Sequence, residues 1–278
     1  MKCSYCSPHF HKGNNAFPDL EKASAFIDRL SEIRRGSNRG TKISFVGGEP
    51  TEYEPLPDLC RHILNSLSAR VHVMSNSAAD LSVWRRLAPV IHTAALSFHE
   101  GKVSQDHYKA VCELLRGSGV SVSCVFPMWP ASFDRSLVLA DEMKSKGFSV
   151  SLQPLYVDHT SRRRLFDYTD DQIAILFPKQ MFNSDILVEN TNGAEQTTAD
   201  HLIHHKMNSF TGMKCGIGID QLTIDQAGNI RGGWCGVGGI IGNVSAGWFE
   251  PPKEAITCTK ATCSNPLDLS VPKWTDDE

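Results

Sequence analysis

The stretch that decides the fold of this chain lies close to its start and is Lys42-Ile43-Ser44-Phe45-Val46-Gly47-Gly48-Glu49-Pro50. The β-branched and aromatic residues at its beginning predict a short strand, and the two glycines predict where that strand ends. Glycine has no Cβ, so a ligand can approach the backbone closely here. Glu49 offers a carboxylate suited to an ammonium group, and Pro50 stiffens the turn. The alternative is a tight turn with a solvated glutamate, and this stretch alone favours neither.

Segments typical of helices and of strands alternate around this stretch, from about residue 17 to 177. Strands are predicted at 42–46, 71–74, 93–97, 120–126 and 149–153. Helices are predicted from Pro18 to about Arg35, Leu56 to Ser68, Leu81 to Leu87, Gln105 to Arg116 and Ser132 to Lys146, and the Thr169–Gln172 capping-box spacing opens another. This alternation predicts βαβ units and a parallel sheet, although periodicity does not separate a barrel from an open sheet.

The residues that follow these strands are the candidates for function, because ligands bind at the carboxyl ends of parallel strands. The candidates are Gly47, Gly48, Glu49, Pro50, Ser75, Asn76, Ser97, His99 and Glu100. Ser75, Asn76 and Ser97 are either ligand contacts or ordinary turn-forming residues. His99 and Glu100 are either acid–base or binding groups that face a substrate, or solvated loop residues.

Length and charge limit the class of protein. A chain of 278 residues can bury one large core, or one core with a small appended domain. The formal net charge of −3 gives no indication of a nucleic-acid partner. The sequence has no run of about 18 apolar residues, so a membrane span is not expected. It also has no apolar leader, so we expect the protein in the cytoplasm.

The nine cysteines fall into two groups. Cys60, Cys112 and Cys124 lie in apolar, periodic segments and are predicted to pack as small hydrophobic residues. The other six lie among glycine, proline and polar residues at the two ends of the chain, which indicates two sites. They are Cys3, Cys6, Cys215, Cys235, Cys258 and Cys263. The Cys3-x-x-Cys6 spacing and the four later thiols each suit either an iron–sulfur cluster or zinc.

The second half of the chain has a looser pattern. Residues Asn190 to Ala199 are polar and are predicted to form a loop or lid. Two strand-like runs, Ile217 to Ile224 and Asn229 to Trp234, flank Asp225-Gln226-Ala227-Gly228, which predicts a β-hairpin turn. Glycines crowd Cys215 and Cys235, so main-chain N–H groups can reach the sulfur atoms.

Ser4-Tyr5-Cys6 together with Gly47-Gly48-Glu49-Pro50 resembles the radical S-adenosylmethionine superfamily, whose hallmarks are a CxxxCxxC loop and a later GGEP motif. The resemblance covers residues 1 to about 177. It implies a partial (β/α)6 barrel of the TIM type, a [4Fe–4S] cluster on Cys3 and Cys6, and S-adenosylmethionine bound by the candidate residues from Gly47 to Ser97. It also implies reductive cleavage of that cofactor to a 5′-deoxyadenosyl radical, which abstracts a substrate hydrogen atom.

The family pattern requires a third cysteine four positions before Cys3, which is upstream of Met1. We interpret Met1 as an internal methionine, with the first barrel strand and the first cluster ligand upstream of it. The alternative is a genuine short start, which would make the chain a non-catalytic cluster-binding or zinc-binding protein.

The tail resembles the auxiliary-cluster extensions called SPASM and twitch domains, because Cys215, the hairpin, Cys235 and the closing pair Cys258 and Cys263 occur in that order. Four cysteines imply the twitch type with one auxiliary [4Fe–4S] cluster, and zinc is the alternative. We therefore expect a core barrel at 1–177, a linker or lid at 178–214 and a small β-hairpin iron–sulfur module at 215–278. The resemblance also implies a reductant such as flavodoxin or ferredoxin and a peptide or small-molecule substrate.

Overall fold

The computed structural model describes residues 19–36, 40–157, 164–178, 186–190 and 193–275, and the structural statements below concern these residues. The chain divides into two compact units between Leu155 and Tyr156. The expected division into a core barrel up to residue 177, a linker or lid up to residue 214 and a C-terminal module stays a prediction. In the described part of the chain, each helix is too short or too polar to cross a lipid bilayer.

The first unit alternates strands with helices, as the sequence predicts. The strands are β1 (Thr41–Phe45), β2 (Ala69–Ser75), β3 (Thr93–Ser97), β4 (Ser121–Pro127) and β5 (Ser149–Gln153). The helices are α1 (Leu20–Arg34), α2 (Leu56–Ser66), α3 (Leu81–Leu87), α4 (Gln105–Gly117) and α5 (Phe133–Ser145). The helix and strand predictions for this unit are confirmed, with bounds that differ by about two residues at most of the ends.

The five strands form one parallel sheet in the order β1-β2-β3-β4-β5. Parallel crossovers are almost always right-handed, so an order without reversal places the connecting helices on one face of the sheet. A doubly wound sheet reverses its strand order at a switch point, whereas a barrel does not. The mixed α/β fold therefore agrees with a partial barrel.

The core of the first unit lies where the helices pack against the sheet. The largest fully buried side chains are Trp84, Tyr108, Phe126, Phe133, Leu56, Ile63, Leu87, Leu96, Leu115, Met128, Leu139 and Met143. Burial of a side chain of this kind contributes about 1.5–3 kcal/mol. Cys60, Cys112 and Cys124 are also buried, which confirms that they pack as small core residues.

The second unit is built from short elements. Its helices are α6 (Asp170–Leu176), α7 (Ala199–His204) and α8 (Pro266–Leu269). Its strands are β6 (Ile186–Asn190), β7 (Gly193–Thr197), β8 (Lys214–Cys215), β9 (Thr223–Ile224), β10 (Asn229–Arg231), β11 (Ile240–Asn243), β12 (Trp248–Phe249), β13 (Ile256–Thr257) and β14 (Lys273–Trp274). They form a two-stranded β6-β7 hairpin, a β12-β11-β10-β9 sheet and a β13-β8-β14 sheet.

Two predictions for the second unit have clear outcomes in the structure. The hairpin around residues 225–228 is confirmed, since β9 and β10 are antiparallel, although its strands are much shorter than the predicted runs. The loop predicted at Asn190 to Ala199 is wrong, because residues 193–197 form β7 and pair with β6. Most residues of β7 are exposed, so the strand has no apolar alternation that would mark it in the sequence. The capping box at Thr169 and Gln172 is confirmed.

Candidate functional sites

The turn after β1 has the backbone geometry that its glycines permit. Gly47 and Gly48 have φ angles of 78° and 52°, in the left-handed region that side chains with a Cβ rarely adopt. Among the described residues, apart from the chain neighbours of each glycine, no atom lies within 4 Å of the place where a Cβ on Gly47 or Gly48 would stand. These residues therefore leave the backbone open to approach. Glu49 follows as the N-cap of a 3-10 turn at Pro50–Glu52. The two glycines therefore turn the chain so that Glu49 lies at the carboxyl end of the sheet.

The carboxylate of Glu49 is buried and is the centre of a hydrogen-bond network. Its Oε1 accepts from the Ser75 hydroxyl at 2.7 Å, the Thr51 hydroxyl at 2.6 Å and the Thr51 main-chain N–H at 3.2 Å. Its Oε2 accepts from the main-chain N–H of Asn76 at 2.8 Å. Glu49 is only 9% exposed, so the solvated glutamate considered from the sequence is excluded. All four of these donors are neutral, and none of the hydrogen bonds from the described residues brings a cation to the carboxylate.

The turn after β2 carries two of these donors and is itself fixed by a second network. Ser77 is fully buried with a φ of 58°, and its main-chain N–H donates to the Ser75 hydroxyl at 3.0 Å. His107, on the first turn of α4, places Nε2 at 3.1 Å from the carbonyl oxygen of Ser77 and 3.0 Å from that of Ala79. Both partners are acceptors, so Nε2 carries the hydrogen and donates. The Asn76 side chain accepts from the Ala78 main-chain N–H at 2.9 Å, which is a turn-forming contact.

The residues after β3 lie at the same edge of the sheet. Ser97 ends β3, and its carbonyl oxygen is 3.5 Å from the Ser77 hydroxyl. Burial lowers the pKa of the His99 imidazole, and the negative charge of Glu49 opposes that effect. Glu100 forms an ion pair with Arg135, and this hydrogen bond lowers the pKa of the Glu100 carboxyl. Strand ends thus bring Glu49, Ser75, Asn76, Ser97 and His99 to one edge, and their roles in binding or catalysis stay predictions.

The four later cysteines line a single pocket. The other residues of its wall are Ile217, Val237, Lys260, Thr262, Asp268 and Lys273. Cys215 and Cys263 are buried, and Cys235 and Cys258 are partly exposed. Among the described residues, no three histidine, cysteine, aspartate or glutamate side chains are grouped tightly enough to hold a single metal ion. The four thiols therefore surround one pocket, but they are not close enough together to coordinate a single metal ion.

Two of these cysteines begin segments that share one sequence pattern. Cys215-Gly216-Ile217-Gly218 and Cys235-Gly236-Val237-Gly238 repeat Cys-Gly-[Ile/Val]-Gly twenty residues apart. The last glycines, Gly218 and Gly238, have φ angles of 85° and 83°. In each turn, the main-chain N–H two residues after the cysteine bonds to the thiol and lowers its pKa. This repeat was visible in the sequence, and it supplies each of the two sulfur atoms with a main-chain N–H donor.

Burial acts in the opposite direction on these thiols and is the larger effect. It raises the pKa of Cys215 and of Cys235, and it raises the pKa of Cys263 to about 12. The Lys273 ammonium lowers the pKa of Cys215 and Cys263, whereas Asp268 raises that of all three. The protein surroundings therefore favour the neutral form of these three thiols, and a bound cationic centre would stabilise the thiolate forms.

Cys3 and Cys6, the expected ligands of the first cluster, lie outside the described residues. Their role as cluster ligands stays a prediction.

Comparison with known proteins identifies relatives by structure alone. No protein-family model matches the chain, and no curated protein matches its sequence. The chain is similar to native anSMEcpe with bound AdoMet, at a TM-score of 0.54 and 16% identity over 87% of this chain and 74% of that chain. It is also similar to native anSMEcpe with bound AdoMet and the Kp18Cys peptide, at a TM-score of 0.53 and 16% identity over 88% of this chain and 74% of that chain.

A third structure, native anSMEcpe with bound AdoMet and the Cp18Cys peptide, matches at a TM-score of 0.42 and 19% identity over 57% of this chain. The chain spans about half of the length of that structure, 49%. At 15–16% identity, the matches with TM-scores above 0.5 show a shared fold. This chain therefore has the fold of the AdoMet-bound anSMEcpe structures.

Proposed function

We propose that this protein is a radical S-adenosylmethionine enzyme that abstracts a hydrogen atom from a peptide, protein or small-molecule substrate. Cys3 and Cys6, with a third cysteine upstream of Met1, would bind its first [4Fe–4S] cluster. When bound and reduced, such a cluster supplies the electron that cleaves S-adenosylmethionine and starts the radical chemistry. A reductant such as flavodoxin or ferredoxin would supply that electron.

The observation that carries this proposal is the Glu49 carboxylate. It is buried at the carboxyl end of the sheet, and its four donors are neutral N–H and O–H groups. A buried carboxylate without a cation is costly, and an ammonium group would compensate it. From the described residues Oε1 accepts three hydrogen bonds and Oε2 one, so with respect to these residues Oε2 is the atom with capacity left. The amino group of S-adenosylmethionine is an ammonium of this kind, and the related structures bind that cofactor.

The residues of the second unit fit an auxiliary [4Fe–4S] cluster. Four thiols line one pocket, and two of them already receive main-chain N–H donors in the repeated Cys-Gly-[Ile/Val]-Gly turns. Iron–sulfur clusters are bound by four cysteine thiolates with N–H donors to sulfur, which adjust the potential. Ile217 and Val237 make part of the wall apolar and limit the access of water. An auxiliary cluster here would exchange an electron with the substrate or bind it.

Anaerobic reconstitution with iron and sulfide tests the proposal on the chain extended upstream to include the expected first cysteine. Two [4Fe–4S] clusters would give about eight irons per chain. Addition of S-adenosylmethionine and dithionite should then release 5′-deoxyadenosine. Glu49→Gln keeps the size of the side chain but removes its charge, and we expect it to lower cofactor affinity at least tenfold with the iron content unchanged. A wild-type chain that takes up zinc but no iron would sink the proposal.

The second candidate function is a non-catalytic cluster-binding or zinc-binding protein. It rests on the pocket that Cys215, Cys235, Cys258 and Cys263 line, which suits zinc or a cluster whether or not the first unit binds a cofactor. Reconstituted protein that binds about four irons, with no release of 5′-deoxyadenosine from either version of the chain, would favour this alternative.

A further inference from the structure

Asp268, at the wall of the cysteine pocket, has no role in the function proposed above. It is 1% exposed and lies on α8, five residues after Cys263. A buried carboxylate is costly unless its oxygen atoms are fully hydrogen-bonded. The donors around the carboxylate therefore indicate which parts of the pocket it holds together.

The carboxylate of Asp268 receives three neutral donors. Oδ1 accepts from the main-chain N–H of Trp234 at 3.0 Å and from Gln221 Nε2 at 2.7 Å. Oδ2 accepts from the main-chain N–H of Cys235 at 2.7 Å. A Cβ on Gly233 would stand 2.8 Å from Oδ1, so the loop before Cys235 can come this close only with glycine at that position.

Gln221 extends this network to the turn of Cys215. Its carbonyl oxygen accepts from the main-chain N–H of Gly218, the last residue of the first Cys-Gly-Ile-Gly turn, at 2.8 Å. Its side chain donates to Asp268, which in turn accepts from Cys235 at the start of the second such turn. Three hydrogen bonds, two of them made by Gln221, thus connect both repeated turns to one carboxylate.

Lys273 binds the main chain at Asp268. Its ammonium donates to the main-chain carbonyl oxygens of Asp268 at 2.6 Å and Val271 at 2.8 Å, rather than to the carboxylate. Lys273 lies in β14 and pairs in register with Cys215 in β8. The segment that follows Cys263 is therefore connected to the Cys215 strand as well.

We infer that Asp268 is a positioning residue of the cysteine pocket. It connects the turns of Cys215 and Cys235 and the segment after Cys263 to one buried carboxylate, whose negative charge lowers the reduction potential of the centre that the pocket binds. The positioning role concerns the chain itself. The effect on potential rests on the proposed function, because a redox centre must be present for it. Net charge and N–H donors near the sulfur atoms set the potential of such a centre, and a fixed anion disfavours the gain of an electron.

Asp268→Asn tests the inference against a matched control, Asp225→Asn. Asp225 lies in the hairpin turn of the same unit and likewise accepts two main-chain N–H groups and one side-chain amide. Asparagine has one acceptor oxygen for the three donors of Asp268, so the Cys235 turn should loosen. In the metal-free, reduced chain, we expect iodoacetamide to alkylate the Cys235 thiolate severalfold faster in Asp268→Asn, as measured by mass spectrometry of peptides. The rates are followed over a range of pH, which separates the reactivity of the thiolate from the Cys235 pKa that the Asp268 charge raises. Cys258 is connected to Asp268 by no hydrogen bond in the described residues and should react at an unchanged rate.

After reconstitution, the midpoint potential of the tail centre should rise in Asp268→Asn and stay unchanged in Asp225→Asn. Equal alkylation of Cys235 in all three chains, or an equal increase at Cys258, would overturn the positioning role. An unchanged potential would overturn the electrostatic role. If Asp268→Asn does not fold, Gln221→Met takes its place, because it breaks the connection between the two turns and keeps the carboxylate. Its Cys235 should then be alkylated faster while its midpoint potential stays at the wild-type value, and a rise in that potential would overturn the electrostatic role. A wild-type chain that binds zinc and no iron would remove the redox role together with the cluster proposal, and the alkylation rates would still decide the positioning role.

Discussion

The Ser75 hydroxyl donates a hydrogen bond of 2.7 Å to Oε1 of Glu49, across the boundary between two neighbouring strands. Ser75 is the last residue of β2, and Glu49 follows β1 by four positions. The parallel register places Phe45 beside Val73, so the ends of the two strands are at one level. Sheet register therefore brings together a carboxylate and a hydroxyl that are 26 residues apart.

Ser75→Ala should weaken the fold and the cofactor site together. The hydroxyl donates to Glu49 and accepts from the Ser77 main-chain N–H, so its removal leaves two buried groups short of a partner. Loss of a hydrogen bond to a charged group costs about 1.5–3 kcal/mol in the free energy of unfolding. Urea unfolding measures this loss, and equilibrium dialysis of S-adenosylmethionine with reconstituted protein should show weaker binding. Ser118→Ala, at the exposed end of α4, should change the free energy by less than about 0.5 kcal/mol.

Gly47→Ala should separate backbone strain from cofactor binding. Gly47 and Gly36 have φ angles of 78° and 81°, and a Cβ added to either glycine would meet no atom of the described residues beyond its chain neighbours within 4 Å. Each alanine should therefore cost about 1–2 kcal/mol of stability through the left-handed backbone alone. Only Gly47→Ala should also lower the affinity for S-adenosylmethionine, because Gly36 follows α1 and not the strand end. Equal cofactor affinity in the two variants would contradict a role for the turn in binding.

The sequence predicts the strands and helices of the first unit because each has its own local pattern. Their alternation predicts a parallel sheet but not the order of its strands, which only the structure shows. The sequence also places Glu49 at a strand end, since the glycines before it mark the turn. The burial of Glu49 and its contact with Ser75 could not be predicted, because they depend on the register between two strands. The same holds for His107, whose partners are two carbonyl oxygens in another loop.

In the second unit the local signal is weaker. The β6-β7 hairpin escapes prediction because its exposed residues show no apolar alternation. Asp268 is a single acid in a loop-rich tail, and only the folded chain shows that it lies among the turns of the cysteines. The four cysteines themselves could be predicted to share a site, since glycines and polar residues around them separate them from the core cysteines.

His107 should act on the Glu49 site through the turn that holds Ser77. His107→Phe removes the Nε2 hydrogen and leaves the carbonyl oxygens of Ser77 and Ala79 without this donor. We expect a loss of about 1–2 kcal/mol in stability and weaker binding of S-adenosylmethionine. His107→Gln places an amide N–H near the former Nε2 and should restore both properties in large part. If phenylalanine and glutamine give the same affinity, the donor has no part in positioning the turn.

Cys235→Ala should affect one cluster only. Removal of a ligand from the tail pocket should lower the iron content from about eight to about four per chain. Release of 5′-deoxyadenosine should remain measurable, because the first cluster is expected on Cys3 and Cys6. Cys124→Ala, in the buried core of the first unit, should keep the full iron content. Loss of all iron in Cys235→Ala would contradict two separate sites.

His72 should make the fold sensitive to mild acid. Burial, aided by the charge of Lys42, lowers the pKa of His72 to about 4, although its contact with Thr93 opposes this shift. The unfolded pKa is about 6.5, so the folded state disfavours the protonated ring. The stability that depends on neutral His72 is therefore present above about pH 6.5 and is lost as the pH falls toward 4.

The ring of His72 is still partly reached by solvent, and we expect the loss at pH 5 to be about 1 kcal/mol relative to pH 7.5. Urea unfolding at the two pH values measures it. His72→Gln keeps a polar side chain in β2, near Thr93 in β3, but does not titrate, so its stability should fall less over the same interval. Carboxylates that titrate in this range act equally on both chains and cancel in the difference. A fall of the same size in wild type and variant would show that protonation of His72 is not coupled to unfolding.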